Sequence, residues 1–284
     1  MHSVITLTHN KIKVTRKCLD TLLDTVHPAW ELIVVDNGST DGTCSWLEGF
    51  REKAAARNIA VKLIFNSGNI GCSTARNQGA AAASGTLLTF IDNDIALRSR
   101  HWLTTLGRPI QNEPRVAMTG PKLVYPLPPY RIQCAGAGVA PTGRILFRGR
   151  GEDRQDPRFN RRLEVQCLIS ACCTVDHRAF DQAEGFDEAF NPVEFEDIDL
   201  CYRIRAGGKS VLYLPEVEMY HFESVTTAGT PSLPNTRLIV RNGLLFKKRW
   251  RHMFENENGP SDADARWKKL PPYDFNQIES LPLL

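Results

Sequence analysis

Through its first hundred residues the chain alternates short apolar runs with stretches of helical periodicity, and the apolar runs end in loops rich in Asp, Asn and Gly. Residues 4–7, 31–35, 61–65 and 87–91 read as strands. Between them, residues 11–25 carry Val14, Leu19, Leu22 and Leu23 at near-helical spacing, residues 43–56 put Trp46, Leu47 and Phe50 on one face, and residues 73–83 form a helix of small side chains. Strands separated by helix-length connections pair in parallel, because each helix carries the chain back to the starting edge of the sheet. The expected class is α/β, with a Rossmann-like, mostly parallel central sheet flanked by helices.

After Pro114 the rhythm changes. Residues 116–124 and 165–175 look extended and are separated by a Pro-, Gly- and Arg-rich stretch over 125–162. Helices are expected over 177–183 and 197–206, a short strand over 210–214, and a basic helix from about 238 to 250 ahead of a polar tail. This pattern divides the chain into an α/β half over 1–115, an α+β half over 116–225, and a C-terminal helix and tail over 226–284.

Composition excludes several classes. A formal charge of +3 from 35 basic and 32 acidic residues gives no global field for nucleic acid, so no nucleic-acid partner is expected. No run approaches the roughly 20 apolar residues that a membrane-crossing helix needs, and the opening residues lack a secretory pattern, so a cytoplasmic chain is expected. The eight cysteines contain no CxxC spacing and read as reduced, mostly buried thiols.

Asp92-Asn93-Asp94 follows the apolar run 87–91 and sets two carboxylates at the rim of the sheet, an arrangement suited to a hard divalent cation that also binds phosphate. Alone, such a triplet is more often a solvated acidic turn. Asp36-Asn37-Gly38-Ser39 ends another strand with a carboxylate acceptor and a glycine turn that lets backbone approach a nucleotide, although an ordinary capped connection looks the same. In an open α/β sheet both loops face one crevice, outside the carboxyl ends of the strands.

Asn69-Ile70-Gly71 opens a helix that carries Arg76, a cation placed to pair with a phosphate or to lie on the surface. Glu194 to Asp199 puts four carboxylates at a helix start, where the dipole favours acids in any case. The sharper reading makes Asp197 a general base. His221 is either structural or a third metal ligand beside Asp94.

In this order the motifs resemble those of family 2 glycosyltransferases with the A-type fold. Residues 34–41 resemble the family's strand and nucleotide loop, Asn69 to Asn77 its next helix start, and Asp92-Asn93-Asp94 its DxD element. Gly185 to Glu188 and Glu196 to Leu200 resemble its acceptor-side elements, and His221 to Ser224 its late histidine segment. Glu184-Gly185 stands where the family usually has a glycine pair, and Ser170-Ala171-Cys172-Cys173 departs from its common Gly-Ala motif.

The resemblance implies a nucleotide-sugar-binding half over 1–115 and an acceptor-binding, catalytic half over 116–225. It places Thr8, Asn10, Asp36, Asn37, Gly38, Asn69, Gly71, Arg76, Asp92 and Asn93 at the nucleotide sugar, and Cys172 and Glu196 at the acceptor. Asp92, Asp94 and His221 would hold Mn2+ or Mg2+, with Asp197 as catalytic base. The implied partners are a nucleotide diphosphate sugar and a hydroxyl-bearing acceptor, glycan or lipid-linked glycan.

Two rival readings share this fold: a nucleotidyltransferase that makes an activated sugar, and a noncatalytic sugar-nucleotide-binding protein. Thr8-His9-Asn10-Lys11 lacks the glycine-rich phosphate loop that the first would want, and the full acidic set weighs against the second. The segment 246–252 mixes cations with aromatics and is a candidate for peripheral contact with an anionic membrane, or a solvated helix end.

Overall fold

The computed structural model describes residues 1–223, 235–264, 275–278 and 280–284. Ser224, the last residue of the expected histidine segment, lies outside the described residues. The first half follows the expected alternation: β1 (His2–Thr8), α1 (Ile12–Leu22), β2 (Trp30–Asp36), α2 (Thr43–Ala55), β3 (Ala60–Phe65), α3 (Cys72–Ala81) and β4 (Leu87–Asp92). Beyond it come β5 (Ile95–Leu97), α4 (Trp102–Asn112), β6 (Val116–Val124), β7 (Ile132–Cys134), β8 (Ala137–Val139), β9 (Ile145–Phe147) and β10 (Leu163–Glu164). The remaining elements are β11 (Cys172–Asp176), α5 (His177–Gln182), α6 (Glu196–Ala206), β12 (Ser210–His221) and α7 (Asn235–Phe254).

One ten-stranded sheet spans both halves, in the order β10-β12-β6-β11-β4-β1-β2-β3, with β5 on β12 and β7 on β6. Strands β3, β2, β1 and β4 are parallel. Strand β11 is antiparallel to both β4 and β6, and β12 is parallel to β6. Hence β1, β2, β4, β6 and β12 all point their carboxyl ends to one edge. The register there puts Thr8 beside Asp36 and Leu7 beside Asp92.

Strand β2 is buried throughout, and Val4, Ile5, Leu32, Ile33, Val34, Leu88 and Phe90 form the heart of the core. Their continuous apolar runs suit a sheet covered on both faces. Edge strand β3 instead alternates in exposure. Of the stretch expected to be extended over 165–175 only the end, from Cys172, is strand, as β11, and the short strand expected over 210–214 runs on to His221. Among the described residues no helix is long and apolar enough to cross a membrane.

Candidate active site

The loops at the carboxyl edge are stitched to one another by side chains. Asn10 accepts from the Thr40 amide at 2.9 Å, and its own amide donates to Ser39 Oγ at 2.7 Å. Asp41 accepts from the first amide of α1, that of Ile12, at 2.9 Å and from the first amide of α2, that of Thr43, at 3.2 Å, which supplies both helices with a cap that neither N-cap residue provides. Asn37 donates to Asn69 Oδ1 at 3.0 Å and accepts from the Ile70 amide at 3.1 Å, tying the β2 loop to the start of α3. Asn69 also accepts from the Gly71 amide at 3.0 Å.

Two glycines permit this closeness. Gly38, at φ 79°, lies so near Gly68 that an added Cβ would stand 2.5 Å from its Cα, and at Gly71, at φ 89°, a Cβ would meet Asn191 Oδ1 at 2.4 Å. Asp36 is fully buried at the end of β2. Its Oδ2 accepts from the Ser39 amide at 2.8 Å, while the buried Oδ1 has no partner among the described residues.

The acidic triplet is built differently from a free turn. After Asp94 the chain enters β5, whose Ile95 pairs with His221, and the Phe222 amide donates to the Asp94 carbonyl at 3.0 Å. That short strand brings the end of β12 against the triplet. His221 Nε2 lies 3.4 Å from Asp94 Oδ1, and ligand atoms of Asp92, Asp94 and His221 all fall within 4.8 Å of one another. Burial disfavours the imidazolium, yet the adjoining Asp94 carboxylate outweighs it and holds the His221 pKa above its ordinary value. Asn93 is turned away from this cluster and donates to Thr15 Oγ1 at 2.8 Å, while Thr15 also contacts Thr8 at 3.3 Å.

Arg76 does not stand open to a phosphate. Its buried guanidinium is committed to Asp92 Oδ1 at 2.9 Å and Glu196 Oε1 at 2.6 Å, with the Phe186 ring 5.4 Å away. It joins the donor-side acids to the start of α6. Glu196 and Cys172, expected at the acceptor, are both buried: Glu196 faces Arg76, and the Cys172 side chain packs in the core at the start of β11, opposite Ile91. Alternation along β11 and burial of both sheet faces account for the thiol, whose pKa burial pushes well up.

Asp197, like Glu194, is half-buried, whereas Glu196 and Asp199 are buried. Asp197 Oδ2 accepts from the Ser170 amide at 2.9 Å and its Oδ1 from the Ile198 amide at 2.8 Å. Burial, followed by the neighbouring Glu196 charge, outweighs those bonds and pushes its pKa up to about 7. Glu194 is likewise raised to about 7, by burial and then by Glu196 and Asp197. Asp199, by contrast, is fully buried and structural, accepting from Arg203 at 2.7 Å and Trp250 at 2.8 Å.

Two features of the site were not visible in the residue pattern. Glu194 and Phe195 both have left-handed backbone, at φ 85° and 73°, just before α6. Non-glycine residues hold such geometry only when surrounding structure imposes it. Here Asn242 of α7 imposes it, donating its side-chain amide to the carbonyls of Phe190 at 2.8 Å, Val193 at 2.8 Å and Glu194 at 2.9 Å. The signal for it is a polar Asn on the inward face of an otherwise apolar helix stripe. The aromatic and basic segment 246–252 is largely turned inward too: Phe246 is buried, Trp250 bonds Asp199, and Arg249 pairs with Asp187 at 2.5 Å.

Two carboxylates and an imidazole, with Arg76 paired to one of the carboxylates, fit a divalent cation of oxygen- and nitrogen-ligand preference. The family model described as glycosyl transferase family 2 matches residues 3–178. An uncharacterised protein of Sinorhizobium fredii is 31% identical over 88% of this chain and 27% of its own length. The O-antigen biosynthesis protein RfbC of Myxococcus xanthus is 29% identical over 79% of this chain and 17% of its own. The chain thus spans about a quarter or less of the length of these two relatives.

An N-acetylglucosaminyl-diphospho-decaprenol L-rhamnosyltransferase of Mycobacterium tuberculosis is 27% identical over 71% of this chain and 69% of its own. Among solved structures, GalNAc-T7 with UDP, GalNAc and Mn2+ superposes at TM-score 0.71 and 16% identity, over 90% of this chain and 49% of that one. A Pyrobaculum calidifontis mannosyltransferase with GDP-Man and Mn2+ does so at 0.63 and 18%, over 91% and 65%. These likenesses show the shared A-type fold.

Proposed function

The chain belongs to glycosyltransferase family 2, and from that premise we propose that it moves a sugar from a nucleotide diphosphate donor, of the UDP, GDP or dTDP type, to an acceptor hydroxyl with inversion at the anomeric carbon. The observation that carries this reading is the meeting of Asp92, Asp94 and His221 within 4.8 Å at the sheet's carboxyl edge, bridged through Arg76 to the helix that bears Asp197. Relatives named for O-antigen biosynthesis and for rhamnosyl transfer support a role in polysaccharide or glycan assembly.

In this account Asp36 Oδ1 accepts from the base or ribose of the donor, and the Asn37, Gly38 and Gly71 turns bring backbone close to it. Asn10, Asn69 and the Thr8 carbonyl hold those turns in place, while Asn93 ties the acidic triplet to Thr15 of α1. Asp92, Asp94 and His221 would hold Mn2+ or Mg2+, which when bound neutralises the diphosphate and makes it a better leaving group. Arg76 fixes Asp92 and Glu196 and leaves the leaving-group charge to the cation. Asp197 takes the proton of the acceptor hydroxyl, the oxygen attacks the anomeric carbon in line, and the bond to the diphosphate oxygen breaks. A carboxylate raised to about 7 is well matched to accept that proton near neutral pH.

Calorimetric titration with UDP, GDP and dTDP, with and without MnCl2, tests the donor half of this reading. Binding of one nucleotide should depend on Mn2+, and Asp94→Ala should remove the dependence. Nucleotide binding that ignores both metal and substitution would sink it.

A further inference from the structure

Helix α7 has one face that packs and one that nothing covers among the described residues. Inward, Asn242 grips the loop before α6, Phe246 stacks edge-on to Tyr202 with ring centres 5.2 Å apart, and Arg249 and Trp250 close on Asp199. Outward, Arg237, Val240, Leu244, Lys248 and Arg251 succeed one another at steps of three or four residues, which makes a single stripe with Arg241 on its flank.

That stripe is both apolar and cationic. Val240 is 57% exposed and Leu244 64%, and Ile239 beside them is 44% exposed. Asn235–Phe254 carries no Asp or Glu at all. Glu255 pairs with Arg251 at 3.3 Å at the far end, and Arg241 donates to the uncharged carbonyls of Ala189 and Asn191. No acid pairs with Arg237, Arg241 or Lys248 among the described residues.

We propose that this face of α7 docks on an anionic lipid bilayer, with Val240 and Leu244 entering the boundary between headgroups and acyl chains and the flanking cations meeting lipid phosphates. Charge complementarity selects the occupant: a helix with unopposed cations around exposed aliphatic residues matches a negatively charged, apolar-backed surface. A second copy of the same cationic stripe would repel it. The geometry also gives docking a consequence, since Asn242 fastens this helix to the loop that leads into Asp197. A protein seated on this face holds the start of α6 near the bilayer, where a lipid-linked acceptor would be presented. That last step rests on the proposed transfer reaction; the docking itself does not.

The test is flotation of the full chain with vesicles of equal parts phosphatidylcholine and phosphatidylglycerol, against phosphatidylcholine alone, at low and high salt. The chain should float with the anionic vesicles only, and high salt should release it. Val240→Glu with Leu244→Glu, and separately Arg237→Glu with Lys248→Glu, should each weaken partitioning about 10-fold or more. These side chains are exposed, so melting temperatures should stay unchanged. Failure of the wild type to float with anionic vesicles at low salt overturns the proposal, as does undiminished flotation of the Val240, Leu244 variant. A lipid-free dimer that the same variant abolishes would assign the face to a second copy instead. Because no turnover is read, loss of the docking proposal is separable from loss of the transferase reading.

Discussion

Replacing Arg76 with Met removes the one cation that holds Asp92 and Glu196 together, and the structure sets the size of the effect. The Arg76 and Glu196 side chains are 6% and 4% exposed, so Glu196 would be left with a charge in a site closed to water, whereas Asp92, at 33%, can still be solvated. Breaking one side of a buried pair costs about 3–5 kcal/mol, which in a domain of this size lowers the melting temperature by about 6–20 °C. Replacing both partners, Arg76→Met with Glu196→Leu, should restore most of that stability, because no isolated charge remains. It should not restore donor turnover, because Asp92 has still lost its tether beside the metal ligands. Thermal unfolding by circular dichroism and a nucleoside diphosphate release assay read the two effects separately. A single variant that melts within about 2 °C of wild type would refute the assignment of Arg76 as a buried bridge. So would a double variant that is less stable than the single one.

Asn242→Ala should cost about 2 kcal/mol, at roughly 1 kcal/mol for each of the two amide N–H donors that the three carbonyls share, and should lower turnover more than donor affinity, as measured by unfolding and by kcat against KM. Asp197→Asn should lower turnover about 100- to 10,000-fold while leaving nucleotide binding intact by calorimetry. The Asp197 pKa is raised to about 7, so wild-type kcat/KM should climb as pH rises toward about 7 and then level off. The linked stability runs the other way: the folded state keeps a proton that the unfolded carboxyl releases near pH 4, so this group's contribution falls between about pH 4 and 7. Asp197→Asn should therefore raise the melting temperature at pH 8 more than at pH 5. Gly38→Ala, at φ 79° and with its new Cβ 2.5 Å from Gly68 Cα, should destabilise by about 1–3 kcal/mol and weaken nucleotide binding, read by unfolding and calorimetry.

The parallel half of the fold was legible because its information is local. Runs such as Leu87 to Ile91, buried on both faces, and the turn formers at Asp36 to Gly42 announce strand ends without reference to the rest of the chain. The second half was harder, since its strands are short or depend on distant partners. Strand β5 has three residues and exists because β12 lies beside it, so nothing near residue 95 signals the pairing that carries His221 to Asp94. The composition of the acidic cluster was likewise readable, but the direction of its side chains was not. Arg76 was expected at a phosphate and faces two carboxylates, and Cys172 and Glu196 were expected at the acceptor and are buried. Spacing shows which residues reach a strand end; packing decides which of them remain open.

The most direct test of the central claim is release of nucleoside diphosphate from a panel of UDP, GDP and dTDP sugars in the presence of Mn2+, comparing wild type, Asp94→Ala and Asp197→Asn. The account predicts release from one donor class in the wild type, loss of it on adding EDTA, and its collapse in both variants. Release that persists in EDTA, or that Asp94→Ala and Asp197→Asn leave at the wild-type rate, would contradict it.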